Sequence, residues 1–279
     1  MERSLDELEP GCPLETVFWG GGTPGLLPVR DLRRLGEAVL RVNGGKPPRE
    51  WTVEMAPATV KPEKLAALAE LGVSRISMGG QTFQKPLLEA LGRIHSREQV
   101  YRAVEALHAA DWKNFNIDLI FAIPGQGLDA WEADLRAALA CEPAHLSTYC
   151  LTFEEDTALW LRLQRGQVAR YSEEEEIAFF ERAWDLLPEK GFRQYEVSNH
   201  AREGYTCIHN VNTWRMHEWI GVGPSASSQF GRRRWTEPHS LDEWLAGLDG
   251  GCAGPVEAVD LTPSMLAEDY LIFGLRMNE

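Results

Sequence analysis

Thr16-Val17-Phe18-Trp19-Gly20-Gly21-Gly22-Thr23-Pro24-Gly25 is the stretch that decides the fold. Its first four residues are apolar or β-branched and read as a buried strand, and three glycines then let the backbone turn sharply and approach a ligand closely. Thr23 adds a hydroxyl, and Pro24 stops strand pairing from continuing. Such a strand end suits an amine, a carboxylate or a phosphate.

Outward from this turn the same unit recurs. Val29 to Val42 reads as an amphipathic helix, Trp51 to Glu54 as a strand, and Lys61 to Leu71 as a helix stopped by Gly72. Val73 to Met78 is a third strand, followed by a helix that starts at Ser96. Asn114 to Phe121 is a fourth strand, Asp129 to Ala140 a helix, and His145 to Leu151 a fifth strand. Repeated β–α units of this length imply an α/β fold with a parallel sheet and right-handed crossovers. Beyond Thr152 the rhythm changes. Ser172 and Glu175 form a capping box at a helix start, and Phe192 to Val197 is extended. The Gly-, Trp-, Asn- and Ser-rich stretch from Tyr205 to Trp235 reads as a folded excursion; Asp242 to Leu248 is a short helix, and Leu261 to Met277 begins another.

A chain of 279 residues can bury one large core or two modest ones. With 28 basic and 42 acidic residues, a net charge of −14 argues against general nucleic-acid binding. Arg232-Arg233-Arg234 reads as a solvated loop, or more sharply as an anion contact. No apolar stretch reaches bilayer-spanning length, and the N-terminus lacks a signal-peptide pattern. The 5 cysteines, Cys12, Cys141, Cys150, Cys207 and Cys252, are scattered without a C-x-x-C pair. That suits reduced thiols in a cytoplasm and provides no tight cluster for zinc or an iron–sulfur centre.

Ligands in parallel α/β sheets bind at the carboxyl ends of the strands. Here those ends carry the glycine turn, Glu54, Gln81, Asp118 and Thr152. A carboxylate inside an apolar strand such as Asp118 must be paired or hydrogen-bonded, and Arg93 is a candidate positive partner. Gly20-x-Gly22-x-x-Gly25 also satisfies the dinucleotide fingerprint, with Glu54 as ribose acceptor, so a Rossmann-type nucleotide-binding enzyme stays open. No G-K-[ST] follows, which excludes a P-loop kinase.

Taken together, these motifs resemble the oxygen-independent coproporphyrinogen III oxidase-like family of the radical S-adenosylmethionine superfamily over nearly the whole chain. The matching segments are FWGGGTP (Phe18 to Pro24), Val53-Glu54-Met55-Ala56-Pro57, Arg75-Ile76-Ser77-Met78-Gly79-Gly80-Gln81 with Leu91-Gly92-Arg93-Ile94-His95-Ser96, and Asn116-Ile117-Asp118-Leu119-Ile120 with Pro124-Gly125-Gln126. Within that family, His209-Asn210-Val211-Asn212-Thr213-Trp214 is similar to the H-N-x-x-Y-W element of the HemW-type heme-chaperone subgroup, with Thr213 in place of the tyrosine.

The resemblance implies that Gly21, Gly22 and Thr23 contact the methionyl part of S-adenosylmethionine. It implies that Glu54, Gln81, Arg93 and Asp118 bind the cofactor's amine, carboxylate and ribose, and that His209 meets heme. No residue is assigned a catalytic or metal-ligating role. The family holds a [4Fe–4S] cluster in a C-x3-C-x2-C loop after the first barrel strand, a motif the 279 residues do not contain. The implied architecture is a partial (β/α) TIM-like barrel lacking its first unit, followed by an α+β extension. It spans residues 1–165 for the barrel, 166–254 for the extension and 255–279 for the start of a truncated C-terminal domain. The implied function is a cytoplasmic heme-binding and heme-delivery chaperone with a heme-acceptor protein as partner. A coproporphyrinogen-oxidase-type enzyme is the alternative, and the chain as written is not expected to be catalytically competent. An unpaired strand Thr16 to Trp19 would also promote self-association.

Overall fold

The computed structural model describes residues 13–249 and 255–278, so Cys12 and Cys252 lie outside the described residues. Seven strands form one sheet: β1 (Thr16–Trp19), β2 (Glu50–Met55), β3 (Arg75–Gln81), β4 (Phe115–Phe121), β5 (His145–Cys150), β6 (Arg193–Glu196) and β7 (Asn199–Ala201). Their order is β1-β2-β3-β4-β5-β7-β6. Pairs β2–β3, β3–β4 and β4–β5 are parallel, as the β–α rhythm requires, whereas β7 joins β5 antiparallel and β6 joins β7 antiparallel. The strands thus follow one another in chain order from β1 to β5. A dinucleotide-binding sheet reverses its order at a switch point, and among the described strands from β1 to β5 there is none. The glycine turn also leads into a 3-10 helix, Pro24–Leu26, rather than an α-helix that could receive a pyrophosphate.

The intervening helices form where apolar periodicity and caps coincide. Helix Pro62–Leu71 begins with proline in its first turn, and its C-cap Gly72 takes the left-handed conformation. Ser96 and Gln99 close a capping box on helix Arg97–Ala109, as do Ser172 and Glu175 on helix Glu173–Glu189. Helix Leu128–Ala140 buries Trp131 and Leu135, and the Trp131 indole N–H donates to the Phe179 carbonyl at 2.9 Å. Phe121 at the end of β4 meets Trp131 and Phe180 with ring centroids 5.3 and 4.6 Å away.

Two compact units result. One contains Met1–Phe18, Arg30–Trp51 and Cys207–Glu279; the other contains Trp19–Val29 and Thr52–Thr206. The second unit holds the polar strand ends. Gly25 is buried there, and a Cβ at that position would collide with the Thr59 hydroxyl, so glycine lets the loops after β1 and β2 close on each other. The first unit holds helix Ile208–Trp214 and a three-stranded antiparallel sheet of β8 (Ser227–Phe230), β9 (Arg233–Thr236) and β10 (Glu257–Asp260), with β9 in the middle. This sheet corrects the reading of Arg232-Arg233-Arg234 as a solvated loop or anion contact. Arg234 lies in β9, with its guanidinium on the Gln229 side-chain oxygen and on Asp269 at 2.7 Å, while Arg232 donates to the Leu261 carbonyl at 3.1 Å. Arg232 and Arg234 are thus spent on internal contacts, while Arg233 stays exposed on β9.

Candidate functional site

Register places the polar residues of the second unit on one face of the sheet. Glu54 pairs with Ser77, Ser77 with Asn116, Asn116 with His145, and Asp118 with Ser147. Because side chains alternate across a strand, Asp118 shares its face with Asn116, and Tyr149 shares its face with Ser147. The apolar residues between them, Ile76, Met78, Ile117, Leu119 and Leu146, turn to the opposite face and are buried.

Asn116 is the hub of this face. Its amide donates to Ser77 Oγ at 2.8 Å and Asp118 Oδ1 at 2.7 Å. Its carbonyl accepts from His145 Nδ1 at 2.7 Å and Ser147 Oγ at 3.1 Å. That amide orientation makes His145 Nδ1 the donor, so Nε2 accepts from the Tyr195 hydroxyl at 2.8 Å. Burial, and then the nearby Arg75 charge, hold His145 well below the usual histidine range, so it is neutral.

The two carboxylates are less comfortable. Burial is the main force raising Asp118, opposed by hydrogen bonds from Asn116 and Ser147 and by the charge of Arg75. Glu54 is pushed up to about 7, first by burial and then by Asp118, while the Gly21 amide pulls the other way. The charge of Asp118 thus reaches Glu54 across β3, and a partly buried pair of acids favours a proton or a cationic group nearby. Tyr149 is raised beyond its ordinary value, also chiefly by burial, with Asp118 adding to the shift.

Each predicted residue has a definite place. Gly21, with φ +84°, and Gly22 are exposed in the turn after β1, and Thr23 is half-buried beside them. Gln81 ends β3 with φ +64°, and its amide folds back over Gly79, the register partner of Asp118. Gly21, Glu54, Gln81 and Asp118 are therefore gathered at one rim. Arg93 is not drawn in with them. It is exposed between helices Lys85–Ala90 and Arg97–Ala109, and the positive charge near Asp118 is the buried Arg75. Arg75 donates to the Asn114 side chain and the Tyr205 carbonyl, both at 3.2 Å.

The sequence reading passed over Asn116, His145, Ser147 and Tyr149 as site residues. Period-two spacing from Asp118 points to Asn116, whereas His145, Ser147 and Tyr149 are reached only through the β4–β5 register.

In the first unit, His209 sits in the opening turn of helix Ile208–Trp214. Its Nδ1 is 2.9 Å from Thr16 Oγ1, and its ring stacks on Phe18 with centroids 5.1 Å apart and planes 29° apart. Nε2 makes no hydrogen bond among the described residues. Burial lowers its pKa, with Glu50 acting in opposition. The Thr213 hydroxyl turns back onto the His209 carbonyl at 3.0 Å, so it serves the helix.

The described cysteines do not fit an iron–sulfur centre. Cys141 and Cys150 are held as thiols, raised by burial to about 11 and about 12. Cys207 is buried with its sulfur 3.3 Å from Glu50 Oε1. No group of three or more candidate metal ligands occurs among the described residues. Likewise, no described helix is long and apolar enough to cross a membrane.

Comparison with known proteins identifies the family and the fold. Residues 1–138 match the model of the Radical SAM superfamily. The heme chaperone HemW of Synechocystis sp. is 36% identical over 272 residues, covering 96% of this chain and 66% of that protein. The heme chaperone HemW of Bacillus subtilis is 34% identical over 264 residues, covering 94% of this chain and 70% of that protein. Among solved structures, Escherichia coli coproporphyrinogen III oxidase (HemN), a radical SAM enzyme, superposes with a TM-score of 0.83 at 19% identity, covering 99% of this chain and 67% of that one. At that identity the likeness establishes the fold: a mixed α/β architecture whose curled sheet is part of a TIM-like barrel. The chain spans about two thirds of the length of these curated relatives.

Proposed function

Because this chain belongs to the radical SAM superfamily, in the HemW-type subgroup related to coproporphyrinogen III oxidase, we propose that it binds S-adenosylmethionine at the polar rim and heme at His209. Heme is then cargo, held for delivery to an acceptor protein. The observation that carries the heme assignment is the imidazole of His209, fixed through Nδ1 and by stacking, with Nε2 left over as a ligand.

For the cofactor, the residues present fit a group with a cationic head and hydroxyls. Glu54 and Asp118 are both raised by burial, and Glu54 by the charge of Asp118 as well, which an ammonium group relieves. Gly21, Gly22 and Thr23 offer backbone and hydroxyl contacts, Gln81 an amide, and the exposed Arg93 a carboxylate partner once its side chain swings in. When bound, S-adenosylmethionine supplies an activated sulfonium carbon–sulfur bond. The protein's own contribution is to orient the amino-acid end and the ribose and to keep Asp118 in place through Asn116. A [4Fe–4S] cluster belongs to the family, but the cysteines described here do not form its site, and no step is assigned to it.

Titrating the purified chain with heme tests the reading. A saturable Soret shift that disappears in His209→Ala is expected; an identical shift in that variant would reject His209 as the ligand. A coproporphyrinogen-oxidase-type activity is the second reading, favoured by the fold likeness to that enzyme. The HNVNTW segment favours heme handling.

A further inference from the structure

We propose that Thr16 and Glu50 are positioning residues for His209, together fixing which imidazole nitrogen is presented to heme iron. This inference rests on the reading of His209 as the heme contact.

The geometry comes from three separated parts of the chain. Thr16 and Phe18 are two residues apart on β1, hence on one side of that strand, and both lie against the His209 ring. Glu50, at the start of β2, is only 5% exposed. Its carboxylate accepts the Ile208 and His209 backbone N–H groups, each at 2.9 Å, and lies 3.3 Å from the Cys207 sulfur. The seven-residue helix has no side-chain cap of its own. Glu50 supplies that cap from a distant strand, and so fixes the turn that carries the imidazole. Asn212, one turn further along, is tied to Glu15 at 3.1 Å.

The chemistry gives Thr16 its part. Iron takes a neutral imidazole through a nitrogen lone pair, so ligation by Nε2 needs the proton on Nδ1. The Thr16 hydroxyl oxygen stands where it accepts that Nδ1–H. A hydrogen bond of this kind selects the tautomer, holds the ring plane and raises the basicity of the ligating nitrogen. Phe18 covers one ring face and restricts rotation. Helix Ile208–Trp214 therefore presents Nε2 in a set direction.

Thr16→Val keeps size and strand preference while removing the acceptor, and Thr16→Ser keeps the acceptor. Ferrous heme is titrated into the full chain, and the iron–histidine stretching band is read by resonance Raman spectroscopy. Far-UV circular dichroism and thermal melting check that each variant is folded. Expected for Thr16→Val is a band at lower frequency and roughly tenfold weaker heme binding, with both restored in Thr16→Ser. Glu50→Gln, which keeps one acceptor oxygen, should broaden the band.

A Thr16→Val spectrum that superimposes on the wild type, while His209→Ala loses the band, overturns the positioning role and leaves the His209 ligand standing. A band that persists in His209→Ala, or a wild type that does not bind heme, overturns the parent reading and this one with it.

Discussion

Glu54 is the residue on which the chemistry of the rim turns. Its carboxyl is pushed up to about 7, against an unfolded value near 4.5, by burial and by Asp118. A carboxyl whose folded pKa is raised contributes fully below the unfolded value and loses that contribution as pH rises through the folded value. Between about pH 4.5 and 7.5, ionising Glu54 should therefore cost the free protein about 2 kcal/mol, after allowance for its partial exposure. Urea unfolding at pH 5 and pH 8 measures this, and Glu54→Gln should flatten the difference. An equally steep dependence in that variant would place the titration elsewhere. A cationic ligand lowers the same pKa, so binding S-adenosylmethionine near pH 7 should release about half a proton. Calorimetry in buffers of different ionisation heat reads that number, and zero release would separate Glu54 from the ligand's ammonium. The sequence made Glu54 and Asp118 visible as acids at strand ends. That the charge of one reaches the other depends on strand register, which no local pattern specifies.

At the scale of elements, the turn after β3 and helix Leu128–Ala140 are held together by one buried acid. Asp134, fully buried, accepts from the Thr82 hydroxyl at 2.6 Å and the Phe83 N–H at 2.8 Å, with the Gln84 and Gln126 amides at 3.4 and 3.5 Å. Asp134→Ala leaves these donors without a partner in the interior. We expect a loss of about 3 kcal/mol, seen as a lower urea midpoint with an unchanged slope; a loss below about 0.5 kcal/mol would mean that water replaces the carboxylate. The β–α elements through β5 were legible because proline, glycine and capping residues punctuate a plain apolar rhythm. Of the later elements, the helix capped by Ser172, the extended run that holds β6 and the last two helices were legible as well, whereas β7 and helix Ile208–Trp214 were not. β7 has three residues, too short for a period-two signal, and its antiparallel pairing with β5 follows a long connection. Helix Ile208–Trp214 has no buried residue and no side-chain cap of its own, so nothing local marks its start. The partner that caps it is far away in sequence.

For the molecule as a whole, the distribution of thiols sets the expectation. Cys141 and Cys150 are raised to about 11 and about 12, Cys207 lies in the other unit, and the sequence has no C-x3-C-x2-C. Anaerobic incubation of the 279-residue chain with ferrous iron and sulfide should therefore leave no stoichiometric iron–sulfur chromophore. One cluster per chain would overturn that expectation. The barrel-type sheet was foreseeable from repeated β–α units, whereas the division into two units was not, because each gathers stretches far apart in the sequence. Chains are synthesised from the N-terminus, and parts can fold as they emerge. The unit with the polar rim has all its residues once Thr206 is made. Glu50, Thr16 and Phe18 must still wait for the residues from Cys207 onward. Until the ribosome delivers that segment, Glu50 is a carboxylate without the amides it caps, and His209 takes its place only after every residue of the rim unit has been made.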